Sequence, residues 1–212
     1  MSLSRRPYPS VEPGLLPRQQ LRKALLRWRE SMPRDQNISS ADSIGQHLTR
    51  LVSTSFAGTK HTSRDLCIGV YWPIRGEPDL RKYYASLRDT GYLLALPFLK
   101  TDLKTGKSNP LLSYAKWAAG EPTIAGKYGI EQPASIVEVI PDLILAPCVG
   151  FDANGYRLGY GAGYFDRTLN QRPTHTIGIA FAQTQDNDLH PNVSDVRLNA
   201  ILTELGAHSF VD

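Results

Sequence analysis

The sequence predicts an α/β protein, a three-layer α/β/α sandwich built on a mostly parallel sheet. Three observations carry that prediction. Short apolar runs, "DLCIGVYWP", "YLLALPFL", "DLILAP" and "HTIGIAF", alternate with amphipathic stretches. Between residues 65 and 99 strand, helix and strand follow at the spacing of a parallel crossover. The glycine-rich stretch "RLGYGAGYFDRTL", Arg157–Leu169, lies between a buried strand and a helix start, where open α/β sheets place their ligands.

Composition fits this class. The 212 residues, 41% hydrophobic and 21% charged, suit one α/β domain with a sizeable core. Residues 1–16 have no apolar segment of a signal peptide and read as a flexible proline-rich tail. Three prolines and Glu12 argue against a transit peptide. Residues 17–212 are expected to form the single domain. No apolar run reaches the roughly 18 residues of a membrane span. Cys67 and Cys148 sit in apolar stretches and read as buried, reduced thiols of a cytoplasmic protein. Residues 1–34 carry eight basic residues against two acidic ones, and the rest sixteen against eighteen. The basicity belongs to one segment, whose partner is a small anion or a nucleic acid.

The elements follow in order. "PRQQLRKALLRWRES" is predicted helical, with Pro17 in its first turn and Leu21, Ala24, Leu25, Trp28 and Met32 on one side. Arg18, Arg22 and Arg29 border that stripe, whereas Lys23 and Arg27 point away. The three arginines either reach into a pocket or form a snorkelling rim over apolar surface. A second helix is expected over 39–56, capped by Ser40 or Asp42. A buried strand over 65–73 and a helix over 77–91, closed by Gly91, precede the strand "YLLALPFL". Residues 101–140 read as a turn-rich loop, a strand in "PLLSYAKW" and an irregular "GKYGIEQPA". "DLILAP", a helix from Tyr164 to Asn170, "HTIGIAF" and a strand within "VRLNAILTE" complete the chain.

Of the candidate chemistry, "TDLKTGKS" ends like a P-loop, but Thr101 replaces its first glycine and Asn109-Pro110 follows where a helix should start. The stretch at 157–169 is stronger. Gly159, Gly161 and Gly163 leave backbone N–H groups free to cradle an anion at a helix start. Arg157 adds charge there, and Asp166 stands where a divalent cation on a phosphate would sit. The alternative is a structural glycine turn with Asp166 as an ordinary first-turn acid. Glu77, beside Tyr71 and Trp72 in a Pro/Gly turn past a strand, suits a heteroaromatic ligand with ring N–H donors. Either Glu77 or Asp79 reads equally as a helix cap. Asp195, on spacing alone, is a solvated loop acid. The five histidines show no metal spacing.

"RLGYGAGYFDRTL", preceded by "APCVGFDANGY", resembles the signature of the 5-formyltetrahydrofolate cyclo-ligase family. "VYWPIRGEPDL", "LALPF", "PLLSYAKW", "KYGIEQP" and "SDVRLNAILTE" extend the resemblance from about Arg18 to Glu204, in the family's order. It implies an α/β/α sandwich that uses ATP and magnesium to close 5-formyltetrahydrofolate into 5,10-methenyltetrahydrofolate, giving ADP and phosphate. It implies ATP phosphates against Arg157, Gly159, Gly161, Ala162, Gly163, Tyr164 and Phe165, helped by Arg18 and Arg22. Folate falls against Trp72, Glu77, Tyr160 and Tyr164, and magnesium on Asp166 and Asp195. Arg157 and Tyr164 are the catalytic candidates, without a covalent protein intermediate. A monomer working on these small molecules, with no nucleic acid or membrane partner, is expected. Four positions depart from the family pattern: Arg18 for lysine, Ala162 for glycine or lysine, Phe165 for tyrosine and Asn199 for an acid. They leave room for a paralogue acting on another formyl or carboxyl substrate. A nucleotide- or RNA-binding module would need aromatic–basic interleaving, which is missing beyond residue 34.

Overall fold

A computed structural model describes residues 17–56, 66–101, 105–106 and 108–210. The expected N-terminal tail lies outside the described residues, as does part of "TDLKTGKS"; no helix follows that segment at 108–112.

Helix α1 (Pro17–Glu30) and helix α2 (Arg34–Phe56) precede strand β1 (Cys67–Gly69), helix α3 (Arg81–Asp89) and strand β2 (Leu93–Phe98). Strand β3 (Ser113–Lys116), the hairpin of β4 (Thr123–Ala125) and β5 (Glu131–Pro133), and the short β6 (Glu138–Val139) follow. Then come β7 (Leu143–Pro147), the hairpin of β8 (Gly150–Phe151) and β9 (Arg157–Leu158), helix α4 (Tyr164–Gln171), β10 (His175–Ile179), β11 (Ala200–Thr203) and β12 (Gly206–Ser209). The main sheet runs β12-β11-β10-β7-β1-β2-β3-β6. Its five central strands, β11 to β2, pair in parallel, and β12, β3 and β6 add antiparallel edges.

Period-two burial sorts the strand residues into two layers. Ile68, Leu94, Leu96, Leu143 and Leu145 face Ile44, Leu48 and Val52 of α2 and Tyr84 and Leu87 of α3. Cys67, Ala95 and Ile144 face the other way, against Leu169 of α4. Central strands buried on both faces read as continuous apolar runs, which is why they were visible in the sequence. Helix α1 packs Leu21, Leu25 and Leu26 on Val149 and Leu158 beside the β8–β9 hairpin. Each such leucine contributes about 2 kcal/mol by burial.

Four segments differ from expectation, the first being α3, which starts at Arg81 and not at Glu77. Helix α2 starts at Arg34, five residues early, because its first turns are exposed and carry no apolar periodicity. Pro33 accepts the first helical bond from Asn37 N–H at 2.9 Å, so neither Ser40 nor Asp42 caps the helix. Strand β1 stops at Gly69, and Val70–Pro78 turns into the loop above the sheet. The segment 123–133 is a β-hairpin, with Tyr128 at its tip in left-handed backbone (φ 61°). Both cysteines are buried and form no disulfide. No described helix is long and apolar enough to cross a membrane.

Candidate active site

The loops that leave β1, β2 and β7 at their carboxyl ends open on one cleft of about 1010 Å³. Every residue predicted for the site lines it: Arg18 and Arg22 from α1, Trp72 and Glu77 after β1, the run Arg157–Asp166 except Leu158, and Asp195. Parallel strands bring these residues to one edge, although they lie up to 177 positions apart in the chain.

The glycine loop has two kinds of glycine. Gly161 (φ 97°) and Gly163 (φ 67°) occupy backbone that side-chain-bearing residues avoid. Gly163 is the left-handed N-cap of α4. Gly159 has no positive φ, yet a Cβ there would lie 2.7 Å from Arg157 Nη1. It is bare because a guanidinium passes over it. A turn function and a close approach therefore coexist in five residues.

Several arginines are held against this loop or beside it. Buried Arg157 donates through Nη2 to Asp166 Oδ2 at 3.0 Å and lies 5.1 Å above the Phe165 ring. Its Nε is buried with no partner among the described residues. Arg22 Nε donates to Gly159 O at 2.6 Å. Arg18 grips Asp195 with both guanidinium ends, one at 3.0 Å, so Asp195 is no solvated loop acid. Asn192 N–H adds a 2.7 Å bond to Asp195. Burial, then the neighbouring Arg18 charge, lowers the Arg22 pKa. An anion between the two would relieve that strain on the charged form.

For Arg29 the rim alternative does not hold. It is 2% exposed and snorkels nowhere. Its Nε donates to Arg75 O at 3.0 Å, Nη1 to Cys148 O at 3.3 Å, and Nη2 to the Tyr160 hydroxyl. That hydroxyl donates in turn to Glu77 Oε1 at 2.7 Å, and Ile74 N–H reaches Glu77 Oε2 at 3.0 Å. Glu77 is 3% exposed. Burial raises its pKa, while Arg29, Tyr160 and the Ile74 N–H oppose the rise. Neither Glu77 nor Asp79 is the N-cap of α3, which is Leu80 without a side-chain bond: Asp79, one residue before it, accepts the Arg81 N–H at 3.1 Å, and Glu77 turns inward. Trp72 packs edge-on against Trp117 at 6.1 Å and carries Arg81 over its ring at 4.8 Å.

Sequence reasoning missed the opposite rim. Lys127 Nζ donates to the Tyr164 hydroxyl at 3.3 Å, and Tyr128 OH lies 3.4 Å from the same oxygen. Only the exposed aromatic in "KYG" hinted at this. Of the departures, Ala162 offers its carbonyl to Arg167 Nη2 at 2.7 Å. Asn199 is away from the cleft, exchanging bonds with Thr176 N–H (2.8 Å) and O (3.1 Å).

Among the described residues no three His, Cys, Asp or Glu side chains group as a metal cage. Apart from buried Glu77, the cleft carboxylates are Asp166 and Asp195. That donor set fits an ion carried mostly on ligand phosphates, as magnesium is, and not a protein-held structural metal.

Fold and cleft define a class: an α/β protein with a cation-lined cradle at the carboxyl ends of its parallel strands, facing a buried acid among aromatics. The model of the 5-formyltetrahydrofolate cyclo-ligase family matches residues 16–204, and the chain belongs to that family. Membership makes it an enzyme, a ligase of folate one-carbon metabolism. A 5-formyltetrahydrofolate cyclo-ligase of Mycolicibacterium smegmatis is 29% identical over 191 residues, 87% of this chain and 92% of that protein. One from Haemophilus influenzae is 27% identical over 193 residues, covering 87% and 96%. In structure the chain is similar to the 5,10-methenyltetrahydrofolate synthetase of Aquifex aeolicus, with a TM-score of 0.70 and 23% identity over 92% of this chain and 93% of that one.

Proposed function

We propose that the chain converts 5-formyltetrahydrofolate to 5,10-methenyltetrahydrofolate, using ATP and magnesium and releasing ADP and phosphate. The observation that carries this reading is the pairing, in one cleft, of an arginine-lined glycine loop with a buried acid among aromatics.

In this reading Arg18, Arg22, Arg157 and the backbone of Gly159–Phe165 take the triphosphate. Trp72, Glu77, Tyr160 and Tyr164 take the folate. Asp166 and Asp195 hold the magnesium, which when bound supplies charge neutralisation on the phosphates. Both carboxylates are now spent on arginines. With nucleotide and magnesium present, Arg18 and Arg157 would turn to the phosphates and Asp166 and Asp195 would be freed to hold the ion. The Arg157 Nε, unpartnered among the described residues, has a proton left for a phosphate oxygen.

The chemistry follows from what the substrate lacks. An N-formyl oxygen is a poor leaving group. Transfer of the γ-phosphoryl to that oxygen makes it phosphate on departure. N10 attacks the formyl carbon, the C–O bond breaks with release of phosphate, the N10 proton leaves with the departing phosphate, and the cationic methenyl bridge closes. The side chains position two anionic ligands and neutralise charge developing on the transferred group. The buried thiols suit a cytoplasmic setting.

The test is methenyl-folate absorbance from 5-formyltetrahydrofolate with and without Mg-ATP. Product is expected only with both nucleotide and cation, at one ADP per product. Full-rate product without nucleotide would overturn the reading.

A further inference from the structure

We infer that Arg29, which does not line the cleft, is a positioning residue that sets the charge and orientation of Glu77 through the Tyr160 hydroxyl. The inference rests on the proposal that Glu77 meets the folate.

The direction of the relay is fixed by the chemistry of its parts. Arg29 only donates, so the Tyr160 oxygen accepts from it. The one Tyr160 proton is then free for Glu77 Oε1, 2.7 Å away. Arg29 is a fully buried cation with no carboxylate within ion-pair distance among the described residues. Its charge is balanced across the tyrosine by Glu77. A buried cation and a buried acid kept apart by one hydroxyl form an ion pair with a spacer, and loss of either leaves the other uncompensated.

The backbone is shaped for this arrangement. Arg75 (φ 49°) and Gly76 (φ 74°) both sit in left-handed backbone, which turns Arg75 O toward Arg29 Nε. A Cβ at Gly76 would meet Arg29 O at 3.3 Å. The same turn returns Glu77 to cap Ile74 N–H. Arg29 also lies 5.5 Å from the Tyr160 ring centroid, so it holds both ring and hydroxyl. Helix α1 thus carries Arg22 toward the glycine loop and, seven residues or about 10 Å further along its axis, Arg29 toward the acid. Tilting α1 would disturb both halves of the cleft.

The groups whose charges bear on Glu77 are Arg29 from α1, Tyr160 from the glycine loop, Tyr71 after β1, Tyr84 of α3 and Cys148 after β7. The two other tyrosines and the thiol are neutral near pH 7, since burial pushes all three upward. Arg29 is the one positive charge in the set. Without it Glu77 would keep its proton to a higher pH and would lose its ionised form as an acceptor for ring N–H donors.

The experiment measures binding of 5-formyltetrahydrofolate and of ATP separately, by calorimetry across pH 5.5–8.5, for the wild type, Arg29→Met, Arg29→Lys and Tyr160→Phe. Arg29→Met is expected to weaken folate binding about tenfold or more, leave ATP within about twofold, and move the loss of folate affinity on acidification to higher pH. Tyr160→Phe, which keeps the cation and removes only the bridging oxygen, should move the profile the same way by less. Arg29→Lys should recover most of the profile but not all the affinity, since one ammonium cannot span three acceptors in a plane. If Arg29→Met folds and binds folate as the wild type does, or loses both ligands equally with an unmoved pH profile, the relay is wrong. Should it fail to fold, Tyr160→Phe decides: an unmoved profile there overturns the inference. Wild-type protein that binds no folate would instead sink the functional reading beneath it.

Discussion

Gly159→Ala separates a glycine needed for a ligand site from one needed for a turn. Gly159 lacks a positive φ, so alanine meets no backbone penalty there. The new methyl would stand 2.7 Å from Arg157 Nη1 and 3.8 Å from its Cζ. Something must move, and the guanidinium tip is the softest neighbour. Yet that tip is 4% exposed and held 3.0 Å from Asp166. A displaced guanidinium forfeits the charge-assisted bond proposed for it to an ATP phosphate, about 1.5–3 kcal/mol, or roughly 10- to 150-fold in the KM for ATP. Gly161→Ala is the control. Its methyl would stand 3.4 Å from Arg22, ordinary contact, but at φ 97°. Left-handed backbone costs alanine about 1–2 kcal/mol, a Tm fall of roughly 2–8 °C for a chain of this size. Thermal unfolding with and without Mg-ATP reads both variants. Gly159→Ala should lose most of its ATP-induced shift, whatever its own Tm, and Gly161→Ala should melt early but keep its shift. A Gly159→Ala protein with an unchanged shift and KM would refute the close-approach argument.

Three further outcomes are expected. Arg22→Ala should raise the KM for ATP at least tenfold, whereas exposed Lys23→Ala should change it less than twofold; equal effects in steady-state kinetics would reduce the basic helix to a solvated rim. Glu77→Gln should weaken folate binding about 10-fold or more with ATP little changed, and it should also flatten the pH dependence of stability. The native Glu77 pKa lies above its unfolded value, so its charge costs stability increasingly as pH rises from the ordinary carboxylate range through the raised value; a Glu77→Gln Tm that falls more steeply than wild type over that window would contradict the sign. Cys148, pushed up to about 12 by burial, and buried Cys67 should both resist a thiol reagent at pH 8 until the protein is denatured.

The central strands and the glycine loop were legible because their signals are local: an apolar run buried on both faces, or bare backbone before a helix. The arginine wheel placed Arg18 and Arg22 correctly, since periodicity gives direction. It could not give depth: whether the three arginines reach inward or form a rim stayed open, and Arg29 lies in the core. Asp195 was taken as solvated because its partner, Arg18, is 177 residues away, and no local pattern encodes that pairing. Helix α2 begins where no apolar residue marks the start, β6 and β12 are short edge strands, and β4–β5 is a separate two-stranded hairpin, none with a strong period. The cap ambiguity at Glu77 and Asp79 was real in one dimension and vanished once the loop was seen to fold Glu77 inward.

The central claim is that this cleft activates the formyl oxygen by transfer of a phosphoryl group. 5-Formyltetrahydrofolate labelled with ¹⁸O in the formyl group, turned over once with excess Mg-ATP, tests it directly by mass spectrometry of the products. The account predicts one ¹⁸O atom in each inorganic phosphate released and none in ADP. Label recovered in water, with unlabelled phosphate, would contradict it.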